Sequence, residues 1–156
     1  TLPMFMHRDT FQTVGELLAN LQVLRNEGSL LDDHIPNHSE ARIKRFGKLK
    51  VGESYYGTQN NTRMDSDKIS PVITSHCTQH VNPWESRTLT PRETATIQGF
   101  PMDFEFKYVP NITKYDLIGR SIPPPIAQHI GEAIKERILK VLNREKNENE
   151  KEFNEI

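Results

Sequence analysis

Four isoleucines and a leucine, Ile126, Ile130, Ile134, Ile138 and Leu142, recur every four residues just after Ser121-Ile-Pro-Pro-Pro125. A spacing close to the helical period gathers them on one side of a helix, and an apolar side of that length has to be covered. The pattern predicts a C-terminal helix that docks by one face and keeps its polar face outward. After Asn143 the chain turns to Glu, Lys and Asn with no apolar period, which reads as an unstructured polar tail.

Thr90-Pro91-Arg92-Glu93 is a second helix signal, with tight limits. Thr90 can cap, Pro91 sits where its missing amide costs nothing, and Glu93 closes a capping box. Gly99 and Pro101 end this helix early, and aromatic residues cluster after it at Phe100, Phe104, Phe106 and Tyr108. A third helix is expected over 13–26, where Thr13-Val-Gly-Glu16 has capping-box spacing and Val14, Leu17, Leu18, Leu21 and Leu24 follow at helical intervals. Gly28 is its stop. Strand signals are sparse. Ile69 to Thr74 is a short β-type run, and Pro71 limits it to an edge strand at best.

Hydrophobic residues make up 35% of the 156 residues, low for a soluble domain, so the chain is either loop-rich or covers another protein surface. The net charge of −1 supplies no overall basic field. No apolar run is long enough to span a bilayer, and Thr1 to Arg8 lack the layout of a signal peptide. A lone Cys77 rules out an internal disulfide and suits a reducing compartment. The expectation is a soluble, cytoplasmic protein. It opens on Thr rather than Met, consistent with processing or excision from something longer.

Chemistry-bearing clusters are few. Arg42, Lys44, Arg45, Lys48 and Lys50 form a run with no acid between Ala41 and Gly52, which could meet phosphate oxygens or simply be a solvated face. The run reads as a loop, and Gly52 to Asp67 as an extended one. His76-Cys77-Thr78-Gln79-His80 and the His34/His38 pair lack the convergent spacing of a zinc site, so no metal is expected. Cys77 as a nucleophile would need a base in place, and sequence neighbours such as His76 rarely line up in space. No residue is singled out as catalytic.

Two stretches change the reading. Arg87-Thr-Leu-Thr-Pro-Arg-Glu-Thr-Ala-Thr-Ile-Gln-Gly-Phe-Pro-Met-Asp-Phe104 resembles the ninth motif of the DNA cytosine-5 methyltransferases. Tyr115-Asp-Leu-Ile-Gly-Arg-Ser-Ile-Pro-Pro-Pro-Ile-Ala127 resembles the tenth and last, at the spacing usual in the family. Phe11 to Leu21 also resembles the helix that follows the catalytic half, and Arg63 to Thr74 the lead-in to the ninth motif. Two positions depart from the pattern: Arg120 stands where Asn is usual, and Thr96 where Arg is usual.

The resemblance implies the C-terminal part of a Rossmann-like α/β methyltransferase, α+β when taken alone, with a small target-recognition region, few short strands and three helices. It implies S-adenosylmethionine as cofactor, with Arg120, Ser121 and Ile122 closing part of its pocket, and Arg92, Glu93 and Gln98 as scaffold. Double-stranded DNA and a catalytic half, in the same longer chain or on a separate subunit, are the implied partners. Arg42, Lys44, Arg45, Lys48 and Lys50 become candidate phosphate contacts, Tyr55, Tyr56, Gln59, Asn60 and Asn61 candidate base contacts, and Arg63 a further DNA-binding candidate. The expected organisation is a linking helix and loop over 1–40, target recognition over 41–86, the two motifs and docking helix over 87–142, and the tail over 143–156. The family attacks cytosine with a Cys in a Pro-Cys motif, and this chain has none, nor a glycine-rich cofactor loop. Alone it is expected to be inactive. The alternative is a non-catalytic remnant that binds DNA or protein.

Overall fold

The structure, a computed structural model, describes residues 11–56, 60–75 and 80–154, with side chains to 144. It divides into two compact units, one ending at Ser121 and one beginning at Ile122. The first carries α1 (Val14–Asn26), α2 (Glu40–Lys48), β1 (Ser54–Tyr55), β2 (Asn61–Arg63), β3 (His80–Val81), α3 (Pro91–Ile97) and α4 (Asn111–Arg120). The second is one long helix, α5 (Pro124–Asn154). The small sheet runs β1-β2-β3, with β1 antiparallel to β2 and β2 parallel to β3. The mixture of helices with a sheet is α/β.

Local chemistry fixes two of the helices as the sequence implies. At α1 the Glu16 amide donates to the Thr13 hydroxyl oxygen and the Thr13 amide to the Glu16 carboxylate, a complete capping box. Gly28, at φ +70°, ends it: the Gly28 and Ser29 amides fold back onto the carbonyls of Arg25 and Leu24. Thr90 and Glu93 form the same reciprocal cap on α3, where Gly99 at φ +85° makes the turn out.

Two apolar clusters hold the first unit. Val14, Leu18 and Leu21 of α1 pack with Met64 and Leu89, while Ile73, Ala95, Phe106, Tyr115 and Ile118 form the other. Ile97 of α3 touches both, so this two-turn helix joins them. The expected aromatic cluster forms from Phe100, Phe104 and Phe106, with ring centroids 4.9–5.4 Å apart. Tyr108 is not part of it; at φ +59° it is fully exposed.

The described residues hold five helices rather than three. The basic run is not a loop: all of it but Lys50 lies in α2, whose Phe46 is completely buried and gives the segment an apolar anchor. The start of the tenth motif is also helical. Only Tyr115 and Ile118 of α4 are buried, too thin a stripe to see in the sequence. Ile69 to Thr74 is not a strand; Ile73 enters the core while Ile69 and Val72 stay exposed. Pro71 removes one ladder donor there. The polar tail continues α5 as far as Asn154. It contains no Gly or Pro, and opposite charges stand four apart at Arg144 and Glu148 and at Lys146 and Glu150. Along α5 the isoleucine stripe is exposed, from 39% at Ile126 to 55% at Ile134. Among the described residues no helix is long and apolar enough to cross a membrane.

Candidate functional site

Helix α2 presents the basic run on a structured support. Lys44, Arg45, Lys48 and Lys50 are exposed, and Arg42 is half-buried. Arg45 and Lys48 lie in the last turn, where cations favour the helix dipole. The Arg45 guanidinium stacks over the Tyr55 ring at 4.4 Å, and Arg42 lies over Phe46 at 5.4 Å. The first contact joins the helix to β1, the second lies within the helix, and both limit where these cations can point. Leaving the helix, the Lys50 amide donates to the Glu53 carboxylate, and Gly52 turns the chain at φ +74° into β1.

The candidate base contacts divide. Tyr56 and Asn60 are exposed at the two ends of the β1–β2 connection. Tyr55 is half-buried with one ring face covered by Arg45, and Asn61, its partner in strand register, is buried. Gln59 lies outside the described residues, as do His76 and Cys77.

Arg63 differs from the other cations expected at DNA. It is only 7% exposed, and its terminal nitrogens donate to four main-chain carbonyls: Asn82 and Pro83 at 3.0 Å, Glu85 at 3.3 Å and Phe46 at 2.7 Å. Burial pushes its pKa below the usual arginine value. The side chain braces the end of α2 and the 82–85 turn onto β2, which removes it from the outer surface.

The ninth-motif residues stand in a buried polar network. Glu93 accepts from both terminal nitrogens of Arg87 at 2.8 Å, from Arg25 at 2.8 Å, from the Thr90 amide at 2.9 Å and from Asn82 at 3.3 Å. Arg92, with no exposed side chain, donates to the carbonyls of Leu31, Pro101 and Phe104 and lies 3.5 Å from Asp32. Asp32, at φ +58°, also accepts from the Phe106 amide and from Lys114. Burial works to raise the Asp32 pKa, but Lys114, the Phe106 amide and Arg92 hold it below the usual carboxylate range. Gln98 stands apart, with one long bond of 3.4 Å to the Ser121 carbonyl. Sequence reading had no signal for Arg25, Asp32, Asp33, Asn82 or Lys114, because each is an ordinary polar residue until the fold assembles it.

At the end of α4, Arg120 is exposed and donates to Asp116 at 2.8 Å, an i,i+4 pair. The Ser121 hydroxyl donates to the Ile118 carbonyl. Ile122 is exposed and opens the second unit. Among the described residues no group of three or more His, Cys, Asp and Glu side chains could hold a metal ion.

A family model for C-5 cytosine-specific DNA methylases matches residues 6–136. The type II methyltransferase M.AquIB of Picosynechococcus sp. is 30% identical over 132 residues, covering 70% of this chain and 94% of that protein. M1.HphI of Haemophilus parahaemolyticus, also a type II methyltransferase, is 31% identical over 147 residues, covering 86% of this chain but 39% of its own length. Among solved structures, a prophage-encoded E. coli protein assigned as a DNA modification methyltransferase aligns with a TM-score of 0.58 and 26% identity. That alignment covers 74% of this chain and 31% of the other, so the chain spans about a third of these two longer proteins.

Proposed function

Because the chain belongs to the C-5 cytosine-specific DNA methylase family, we propose that it is the target-recognition side of a DNA (cytosine-5-)-methyltransferase of the restriction-modification type. The enzyme transfers methyl from S-adenosylmethionine to cytosine in double-stranded DNA, in the cytoplasm. The observation that carries this reading is the exposed basic helix α2, braced by Arg63 and by the Arg45–Tyr55 stack beside the β1–β2 connection. Cations on a held helix position a duplex by its phosphates, while Tyr56 and Asn60 stand where a short loop can reach base edges. Arg63 is a brace in this reading rather than a contact.

The nucleophile comes from a catalytic half, earlier in the same longer chain or on a separate subunit. M.AquIB is matched over 94% of its length and M1.HphI over 39%, so the similarity extends to relatives of both lengths. When bound, S-adenosylmethionine supplies an electrophilic methyl group. Of the residues at 120–122, Arg120 would offer the cofactor's carboxylate a cation in exchange for Asp116, and Ile122, in the second unit, carries an exposed apolar side chain. Ser121 fixes the end of α4 through its hydroxyl. The exposed stripe of α5 is the docking face for the catalytic half.

Two measurements test this. Purified with a chain that carries Pro-Cys and a glycine-rich cofactor loop, this chain should restore labelled methyl transfer to duplex DNA that neither has alone. A complex that forms yet binds no cofactor would instead favour the remnant, for which the Arg120–Asp116 pair in place of the usual Asn is the structural motive. Replacing Lys44, Lys48 and Lys50 together with Gln should reduce the slope of log affinity against log salt by about 2–3, close to one unit for each DNA phosphate that these lysines neutralise. An unchanged slope removes α2 from the interface.

A further inference from the structure

The chain has one tryptophan, Trp84, and its side chain is 46% exposed. One exposed apolar side chain means little by itself, but this one is mounted on an unusually well-held turn. The Asn82 carboxamide oxygen accepts from the Trp84 and Glu85 amides at 2.9 and 3.0 Å, and the Asn82 amide donates to the Arg87 carbonyl at 2.9 Å. Arg63 donates to the carbonyls of Asn82, Pro83 and Glu85, on both sides of the tryptophan. Glu85, the one acid of the turn, gives both carboxylate oxygens to Arg87 and is neutralised there. The main chain at Trp84 is thus fixed, while among the described residues the indole itself has no hydrogen bond or ring contact.

The position of the turn follows from the same guanidinium, which also reaches the Phe46 carbonyl at 2.7 Å and sets the turn against the end of α2. Successive residues of a helix are rotated by about 100°. Around α2 the buried Phe46 therefore points inward, Lys44 and Lys48 lie on the opposite side, and Arg45 and Gly47 occupy the two flanks. Arg45 meets β1 through Tyr55. Gly47 meets the turn: a Cβ there would lie 3.3 Å from the Ser86 hydroxyl oxygen. The outward lysines run between two edges that carry exposed aromatic rings, Tyr56 next to one and Trp84 on the other.

A ligand lying along Lys44 and Lys48 meets cations in the middle and rings at the sides. That combination suits a nucleic acid, whose phosphates take the cations and whose sugars and bases offer apolar faces to the rings. We propose that Trp84 is a contact to duplex DNA, its indole packing on a deoxyribose or base beside the phosphates that Lys44 and Lys48 neutralise. The contact rests on the function proposed above and adds to it an apolar partner on the far side of α2 from the β1–β2 connection.

A single tryptophan makes the emission of the chain a reading of this position alone. The full chain is titrated with a short labelled duplex, whose anisotropy reports binding independently, and with inorganic polyphosphate, which carries the charge without sugar or base. The duplex is expected to quench the indole in step with the anisotropy and to shield it from acrylamide; polyphosphate should compete for the lysines without quenching. Trp84→Ala should weaken the duplex about tenfold at every salt concentration, with the slope of log affinity against log salt unchanged, because no phosphate contact is lost. Trp84→Phe should recover most of that loss. Both variants should melt close to the parent, since main-chain groups close the turn, and the titration of the unaltered chain needs neither. Duplex binding that leaves emission and acrylamide access unchanged, or an alanine variant of parental affinity, overturns the contact. So does emission that responds to a partner chain carrying Pro-Cys and not to the duplex, which makes the turn a protein interface. A duplex that does not bind at all removes the function proposed above and the contact with it, whereas a silent indole on a bound duplex removes the contact alone.

Discussion

Glu93→Ala should lower the melting temperature of the chain by roughly 10 °C or more, the equivalent of about 3–5 kcal/mol for removing one partner of a buried ion pair. Glu93 is 2% exposed and Arg87 about as well covered, so the guanidinium left behind has little water to turn to. Glu85 still holds one edge of Arg87, and Asp33 still holds Arg25, which keeps the loss finite. The same carboxylate gives the acid response its sign. Burial alone would raise the Glu93 pKa, but Arg87, the Thr90 amide and Arg25 hold it below the usual carboxylate range. A folded-state pKa below the unfolded one contributes stability that is present above about pH 4.3 and is lost as the pH falls through the folded value. Asp32 acts in the same direction. The urea midpoint should therefore hold from neutral pH to about pH 5 and then fall. Glu93→Gln should start lower and fall less, with Asp32 accounting for the remaining slope. An acid limb identical in the variant and the parent would show that this carboxylate is not under the control of Arg87.

Gly119→Ala should be nearly as damaging, from a single methyl group. A Cβ built at Gly119 would lie 2.2 Å from the Thr74 carbonyl carbon and 2.3 Å from the Ser75 nitrogen, and neither backbone atom can rotate away. One of the two segments has to move, and overpacking of this kind costs about 3 kcal/mol, sometimes more. Gly131→Ala is the control. It also lies within a helix, but nothing stands within 4 Å of its Cβ position. There the gain in helix propensity should stabilise α5 by up to about 1 kcal/mol. Opposite signs from the same substitution would locate the close crossing of α4 over the 74–75 segment. Equal effects would mean that the crossing opens at little cost.

What could be read from the sequence was what is local. Capping boxes at Thr13 and Thr90 involve residues three apart, and both form where the spacing puts them. The basic run was visible, but not its helix, because the single apolar residue that anchors α2, Phe46, has no periodic companions. Arg63 read as one more cation. Its burial depends on the Asn82, Pro83 and Glu85 carbonyls, about twenty residues onward, and nothing near it in sequence announces them. The His38–Thr88 contact was equally hidden: the two residues are fifty apart, and the Thr88 amide donates to the imidazole only once the fold brings them together. Family resemblance placed Arg92 and Glu93 as scaffold but not their partners, since Asp32 and Arg25 belong to a loop and a helix outside both motifs.

Those partners also set the order in which the first unit can assemble. Arg25 waits for Glu93, 68 residues downstream, and Asp32 for the Phe106 amide and Lys114, 74 and 82 residues downstream. A chain emerging from the ribosome makes α1 early, with a polar end whose ionic partners do not yet exist. Loop closure over such distances is slow, and helix α1 remains marginal by itself until then. Folding of the unit is thus gated by synthesis of α4, and a nascent chain stalled before Lys114 should remain sensitive to proteases along its whole length.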